Sequence, residues 1–411
     1  MSLDRRDFLK KAGAAGVAGV LPEAVRAGAW AAGSDAPEKK EVKIGFIPLT
    51  DCSSVVMASV MEFDKKYGIK IIPSKEASWA AVRDKLVNGE LDAAHVLYGL
   101  VYGVQMGIGG PKKDMNVLMN LNHNGQAFTL SRKLYDKGVT DGSSLSKLIK
   151  TEKGEYTFAQ TFPTGTHAMW IYYWLAAHGI HPFQDVKAIV VPPPQMVANM
   201  RVGAMDGFCV GEPWNYRAIM DKIGFTANTT QELWKDHPEK TLGCTAEFTQ
   251  KYPNTARAMT AAIIDAGRWI DSSLVNRQKT AEVVSDKSYV NCEKDVIVAR
   301  MLGRYDNGIG KVWDDKDYMK FYNEGHVTFP YLSDGMWFMT QHRRWGLLKE
   351  DPDYLEVAKK VNRIDIYKEA AAATRTPLPR DSFRTAKLMD GVVWDGKDAK
   401  KYAGTFKIKA A

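Results

Sequence analysis

Four stretches of the chain carry hydrogen-bond donors in places where a small anion could be held. Asn122-His123-Asn124-Gly125-Gln126 follows the apolar run Val117–Leu121, and Thr161-Phe162-Pro163-Thr164-Gly165-Thr166-His167 joins a predicted strand to a predicted helix. Gly211-Glu212-Pro213-Trp214 follows the short apolar strand Phe208–Val210, and Lys240 closes the turn His237-Pro238-Glu239-Lys240. The first backbone N–H groups of a helix have no intrahelical partner, and the helix dipole favours negative charge there. A helix capped by Thr164 or Thr166 therefore begins with an anion cradle. His167 in its first turn can donate from the ring, and the glycine at 211 would let backbone come close to a ligand. Taken singly, His167 reads as a capping residue and Lys240 as a solvated one. Taken jointly, they describe donors gathered for a group that only accepts hydrogen bonds.

Templates for bond-making chemistry are missing. The chain has no G-x-S-x-G elbow, no P-loop, no G-x-G-x-x-G after a strand and no H-E-x-x-H. Gly107–Gly110 lacks the lysine and hydroxyl of a phosphate cradle, and reads as a loop. His178 and His181 stand close together without cysteine or carboxylate at metal-ligand spacing. Cys52, Cys209, Cys244 and Cys292 are widely spaced and form no C-x-x-C pair, so four buried thiols are predicted, with no metal and no cofactor.

The elements that must position the donors alternate between strands and helices. Val42–Leu49 reads as a buried strand, with a helix over about 53–67 stopped by Gly68 and a second strand at Ile69–Pro73. Thr157–Thr161 and Lys187–Val191 read as strands, with the helix Thr166–His178 between them ending before Gly179. One pattern occurs twice. Leu86-x-x-Gly89-x-x-Asp92-Ala93-x-x-Val96 is echoed by Met200-x-x-Gly203-x-x-Asp206-Gly207-x-x-Val210, 114 residues on. Each reads as a helix, a glycine cap, a turn and a strand, which predicts two lobes built alike. The alternation predicts an α/β fold with largely parallel sheets flanked by helices, and ligands in such sheets gather at the carboxyl ends of strands. Ala256–Ile270 has helical spacing, and Asp381–Ala411 has no long periodic element and is expected to wrap the surface.

A chain of 411 residues is long enough for two or three folding units, and its 45% hydrophobic and 25% charged content suit a soluble globular protein. Of the formal charge of +8, the segment 1–33 holds +2, from five basic and three acidic side chains. The remaining +6 is spread without a long basic run, so nucleic acid is not an expected partner. The N-terminal segment has the order of a secretory leader. Arg5-Arg6-Asp7-Phe8-Leu9-Lys10 precedes the short apolar stretch Ala12–Leu21, and Ala-Gly-Ala-Trp-Ala-Ala at 27–32 offers cleavage sites. The paired arginines make it the twin-arginine kind, which predicts a periplasmic product.

The donor-rich turns and the segments around them resemble the nitrate-binding proteins of ABC importers, with bicarbonate-binding siblings close behind. The resemblance runs from about Val42 to Ala372. It is carried by VKIGFIPLTD at 42–51, Ala77-Ser78-Trp79, NHNGQ at 122–126, TFPTGTHAMWIYYWLAAHGI at 161–180, VVPPPQMVANMRVGAMDGFCVGEPWN at 190–215, HPEK at 237–240 and FPYLSDGMWFMTQHRRWGLL at 329–348. It implies a two-lobe clamp of the type II periplasmic binding-protein kind. The expected division is a leader at 1–33, a linker at 34–41, a first lobe from 42–130 and 240–411 with a C-terminal extension, and a second lobe from 131–239.

The resemblance also implies the ligand set. Trp79 would donate its indole N–H, Gln126 its amide, His167 its ring N–H and Gly211 its backbone N–H, with Lys240 supplying the charge. In the bicarbonate siblings the lysine position is acidic and calcium accompanies the ligand, so lysine here points to nitrate or nitrite without a metal. An ABC permease in the inner membrane is the implied partner. The cyanobacterial members carry a lipoprotein leader, from which this chain departs. Nitrate is planar and monovalent, and its oxygens only accept, so donors around one ammonium with no carboxylate opposing it should satisfy it. Four or five charge-assisted hydrogen bonds at roughly 1.5–3 kcal/mol each could leave, after desolvation and ordering, a micromolar constant of about −8 kcal/mol. The competing expectations are a binder of bicarbonate or another small monovalent anion, a nitrate sensor acting on a regulatory partner, and an enzyme on the same scaffold. The leader argues against the sensor, and the missing acid–base pair against the enzyme.

Overall fold

The computed structural model describes residues 35–152 and 154–410; the predicted leader lies outside them. The strands β1 (Glu41–Phe46), β2 (Lys70–Lys75), β3 (Ala93–Leu97) and β4 (Met115–Asn120) belong to one five-stranded sheet. The strands β5 (Gln126–Ser131), β6 (Thr157–Gln160), β7 (Lys187–Val190), β8 (Gly207–Gly211) and β9 (Gly224–Thr229) make a second, and β10 (Lys240–Thr245) returns to the first. The strand orders are β2-β1-β3-β10-β4 and β7-β6-β8-β5-β9. In both sheets the first three strands are parallel and the fourth is antiparallel to its two neighbours. The sheets therefore have one topology, with the echoed motifs placing β3 and β8 at the centre of each.

The antiparallel strand of each sheet is the one that arrives from the other sheet. The chain leaves the first sheet after β4 and enters the second as β5, then leaves after β9 and returns as β10. Gln126 and Lys240 are the first residues of these two exchanged strands. The first crossing precedes Gln126, so β5 pairs within the second sheet, and a lobe boundary after residue 130 is too late by one strand. An apolar strand reads alike in either sheet, so its pattern could not tell which one it joined.

The helices that matter for the site are α1 (Ser53–Val60), α2 (Trp79–Val87), α3 (Tyr98–Gln105), α4 (Thr166–Ala177), α5 (Met196–Arg201), α6 (Pro253–Asp271) and α7 (Leu332–Arg344). The helix expected over 53–67 stops at Val60. Glu62 adopts a left-handed φ of 61°, and a 3-10 turn covers Phe63–Tyr67. The glycines of the echoed pattern, Gly89 and Gly203, share a φ of 76° after α2 and α5, a conformation costly for residues with a β-carbon. The start of α4 also differs from expectation. Its N-cap is Gly165, with no side-chain cap, and Thr166 is already helical.

One apolar cluster fills the first lobe around α1 and α6. A second continues from the cleft side of the first lobe through the second lobe into the C-terminal region. Helix α7 lies within it and packs against α3 of the first lobe and α4 of the second. Trp337 on α7 stands 5.0 Å from Trp170 and 5.2 Å from Trp234, and His342 Nε2 contacts the Thr164 carbonyl at 2.8 Å. Beyond Asp381 the chain holds only two-residue strands and one short helix, Ala399–Thr405, and straps this face. Arg384 anchors the strap through both oxygens of buried Asp334, at 2.8 Å each. All four cysteines are free and buried. Among the described residues no helix is long and apolar enough to cross a membrane.

Burial holds the imidazoles of His95, His123, His167, His237 and His342 below the ordinary histidine value of 6.5, His237 and His342 to about 4. The unfolded chain then binds more protons below pH 6.5 than the folded one does, so stability falls as pH drops from 6.5 toward 4. His237 and His342 would each contribute roughly 3 kcal/mol to that loss. Calorimetric unfolding from pH 7 to pH 4 should show the midpoint falling steadily below 6.5; a midpoint unchanged between 7 and 5 would contradict these burials.

Candidate functional site

The carboxyl ends of the strands meet where the two lobes face each other. From the first lobe, Asp51 follows β1, Trp79 opens α2 after β2, and Lys240 opens β10. From the second, Gln126 opens β5, His167 stands in the first turn of α4 after β6, and Gly211 ends β8. Ser78 caps α2 by accepting from the Ala81 N–H at 3.2 Å, which sets Trp79 at the mouth of that helix. Direct bonds close the lobes around this point. The Glu212 carbonyl accepts from the Thr50 N–H at 2.8 Å and from its hydroxyl at 3.0 Å, and the Trp214 indole donates to the Pro48 carbonyl at 2.9 Å.

Lys240 is the hub, and it is fully buried rather than solvated in a turn. Its Nζ lies 3.0 Å from Asp51 Oδ1, 2.6 Å from Glu239 Oε1 and 3.4 Å from His167 Nε2. The ammonium also sits 5.7 Å from the centre of the Trp79 ring. Gln126 donates to Asp51 Oδ1 at 3.2 Å, and Asn122 to the same oxygen at 3.1 Å. His167 Nδ1 pairs with the Thr161 hydroxyl at 2.7 Å, while Nε2 faces Glu239 Oε1 at 3.1 Å. Gly211 backs onto Asp51: a β-carbon there would stand 2.8 Å from Oδ2 and 3.2 Å from Leu49 Cδ2. The five positions singled out in the sequence thus converge on one buried cluster.

The cluster contradicts one expectation. Two carboxylates, Asp51 and Glu239, oppose the ammonium where none was expected. Burial disfavours all these charges, and their mutual attraction decides which survive. Burial pushes Lys240 down, but Asp51 and Glu239 more than offset it and hold the ammonium above its ordinary range. Burial likewise pushes Glu239 up, yet Lys240 and His167 outweigh it and keep that carboxyl well below the usual value. The Trp170 indole, 2.8 Å from Glu239 Oε2, completes its shell. Asp51 goes the other way, because burial and the Glu239 charge together exceed the pull of Lys240.

Several buried polar atoms at the cluster have no protein partner: Asp51 Oδ2, the Trp79 indole nitrogen, the Asn122 carbonyl oxygen and both ring nitrogens of His95. His95 lies edge-on to Trp79 with 5.6 Å between centroids. Burial of such groups without partners costs free energy, so their concentration at one lobe junction marks a place built for a polar guest. Open volume is a poorer guide in this protein. One surface groove, about 760 Å³, lies along the exposed β7 edge and shares no residue with the cluster.

Residues 35–285 match the NMT1-like family. Over 391 residues the chain is 37% identical to the nitrate/nitrite binding protein NrtA of Synechocystis sp., covering 92% of this chain and 87% of that one. The crystal structure of the periplasmic nitrate-binding protein NrtA from Synechocystis PCC 6803 superposes with a TM-score of 0.87, covering 91% of this chain and 100% of that one. The chain belongs to the nitrate/nitrite-binding protein family. The bicarbonate-binding protein CmpA of Synechococcus elongatus is more distant, at 29% identity over 408 residues, covering 93% of this chain and 90% of that one. The fold is accordingly the type II periplasmic binding-protein fold, as the resemblance implied, and this nitrate/nitrite-binding family is one of solute-binding proteins rather than enzymes.

Asp51, Trp170 and His95 were not singled out in the sequence, and Asn122 and Glu239 entered only as members of the turns around Gln126 and Lys240. An acidic residue after a strand or in a turn reads as solvated. What reveals Asp51 is its contact with a lysine 189 residues away.

Proposed function

We propose that this protein captures nitrate or nitrite between its lobes and delivers it to an ABC permease, after export to the periplasm by the twin-arginine leader. The observation that carries the reading is the convergence of Trp79, Gln126, His167 and Gly211 on the buried Lys240 ammonium. In this reading the indole, amide and imidazole donate to the three oxygens of a planar anion, and the Gly211 backbone closes one side. Groups from both lobes touch the anion, so binding favours the closed clamp that a permease would recognise. Sulfate brings a second charge with no second fixed cation among the described residues of the cluster to match it, and is rejected.

Isothermal calorimetry on the mature protein tests this with nitrate, nitrite, sulfate and bicarbonate plus calcium. Nitrate or nitrite should bind with a micromolar constant and sulfate should give no heat. Tight binding of bicarbonate with calcium, and none of nitrate, would replace this reading with that of the bicarbonate siblings. Gln126→Leu removes one donor and is expected to weaken nitrate about tenfold, roughly 1.4 kcal/mol. An unchanged constant would take Gln126 out of the ligand set.

A further inference from the structure

The proposed anion has to share a fully buried site with two carboxylates, and the inference below rests on that nitrate/nitrite reading. With Asp51 and Glu239 ionised, Lys240 charged and the imidazoles neutral, the cluster carries one net negative charge. A monovalent anion would double it away from bulk solvent, where screening is weak. Among the described residues, the groups packed around Asp51 offer no further fixed cation. Lys240 and Glu239 face it from the start of β10, Gln126 and Asn122 from the crossing into β5, and His167 from α4. Gly211 covers it from β8, His95 lies behind Trp79 on β3, and Cys52 follows it in the chain. The nearby Glu212 is already held by Arg300 at 3.2 Å.

The two carboxylates are not equivalent. Both oxygens of Glu239 are engaged without His167, Oε1 by Lys240 and Oε2 by Trp170. In Asp51, Oδ1 receives three donors, from Asn122, Gln126 and Lys240, while Oδ2 is buried and receives none from the described residues. An oxygen without a donor is where a proton is best placed, and a carboxyl O–H facing the cluster needs an acceptor. We propose that Asp51 is a further ligand of the anion, which it meets with a proton on Oδ2, so that the site takes up a monovalent oxyanion together with one proton from solvent. The neutral carboxyl then donates a hydrogen bond, and the charge brought by the anion is cancelled within the site. Burial raises Asp51 above the usual carboxylate range, in the direction this requires.

The test is nitrate calorimetry on the full-length mature protein between pH 7 and pH 9, in two buffers of different ionisation enthalpy. The expected result is uptake approaching one proton per nitrate at the upper end, with affinity falling toward tenfold per pH unit. Asp51→Asn puts a permanent neutral donor in the same place. It should bind with at most a tenfold loss at pH 7, take up no proton and lose the pH slope. Wild-type binding without proton uptake and at constant affinity overturns the proposal. So does Asp51→Asn that keeps the wild-type slope, which puts the proton on His167, or that folds by circular dichroism but binds nothing. Absence of nitrate heat in the wild type at every pH instead ends the nitrate reading itself.

Discussion

Lys240→Glu is expected to abolish nitrate binding, with no heat at concentrations about a hundred times the wild-type constant. The change puts a third carboxylate beside Asp51 and Glu239, which lie 3.0 and 2.6 Å from the present ammonium. It removes the only lysine or arginine in contact with them among the described residues and meets the anion with repulsion. Two effects are combined in that loss, and Lys240→Met separates them. Leaving Glu239 buried without its partner should cost about 3–5 kcal/mol of stability. Adding Glu239→Gln to Lys240→Met should recover most of that stability in thermal unfolding while nitrate binding stays absent. A double variant that regains both would make Lys240 a structural counter-ion and nothing more.

Gly211→Val is the second large effect. A β-carbon at 211 would stand 2.8 Å from Asp51 Oδ2 and 3.2 Å from Leu49 Cδ2, and both are contacts across the lobe junction. Valine adds two more methyl groups there, so the lobes can no longer close on Asp51, and nitrate affinity should fall at least a hundredfold, about 2.7 kcal/mol. The clash exists only when the lobes meet. Each lobe keeps its own packing, and the unfolding midpoint should move far less than the binding constant. Scattering with saturating nitrate would show the variant more extended than the wild type. A compact Gly211→Val that binds normally would contradict the closure assigned to this residue.

Much of the architecture was legible in the chain because it rests on local rules. The left-handed glycines at 89 and 203 close their helices, and the motif built around them places β3 and β8 at the same position in two like sheets. Legibility ended where a local pattern has two tertiary solutions. The strand Gln126–Ser131 could have joined either sheet, and the helix from Ser53 breaks at Glu62, whose left-handed backbone no residue preference announces. The site divides the same way. His167, Gln126, Gly211 and Lys240 stand in turns whose composition signals donors, whereas Trp79 entered only through the family resemblance. Asp51 and Glu239 have the residue types that normally face water, and only the folded chain shows them fully buried against Lys240.

The most direct measurement is a crystal structure grown with nitrate. Planar, three-armed density should stand within hydrogen-bonding reach of Trp79, Gln126, His167 and the Lys240 ammonium, with Asp51 on its border. Saturated crystals whose nitrate lies on any other surface, with this cluster unchanged, would contradict the account.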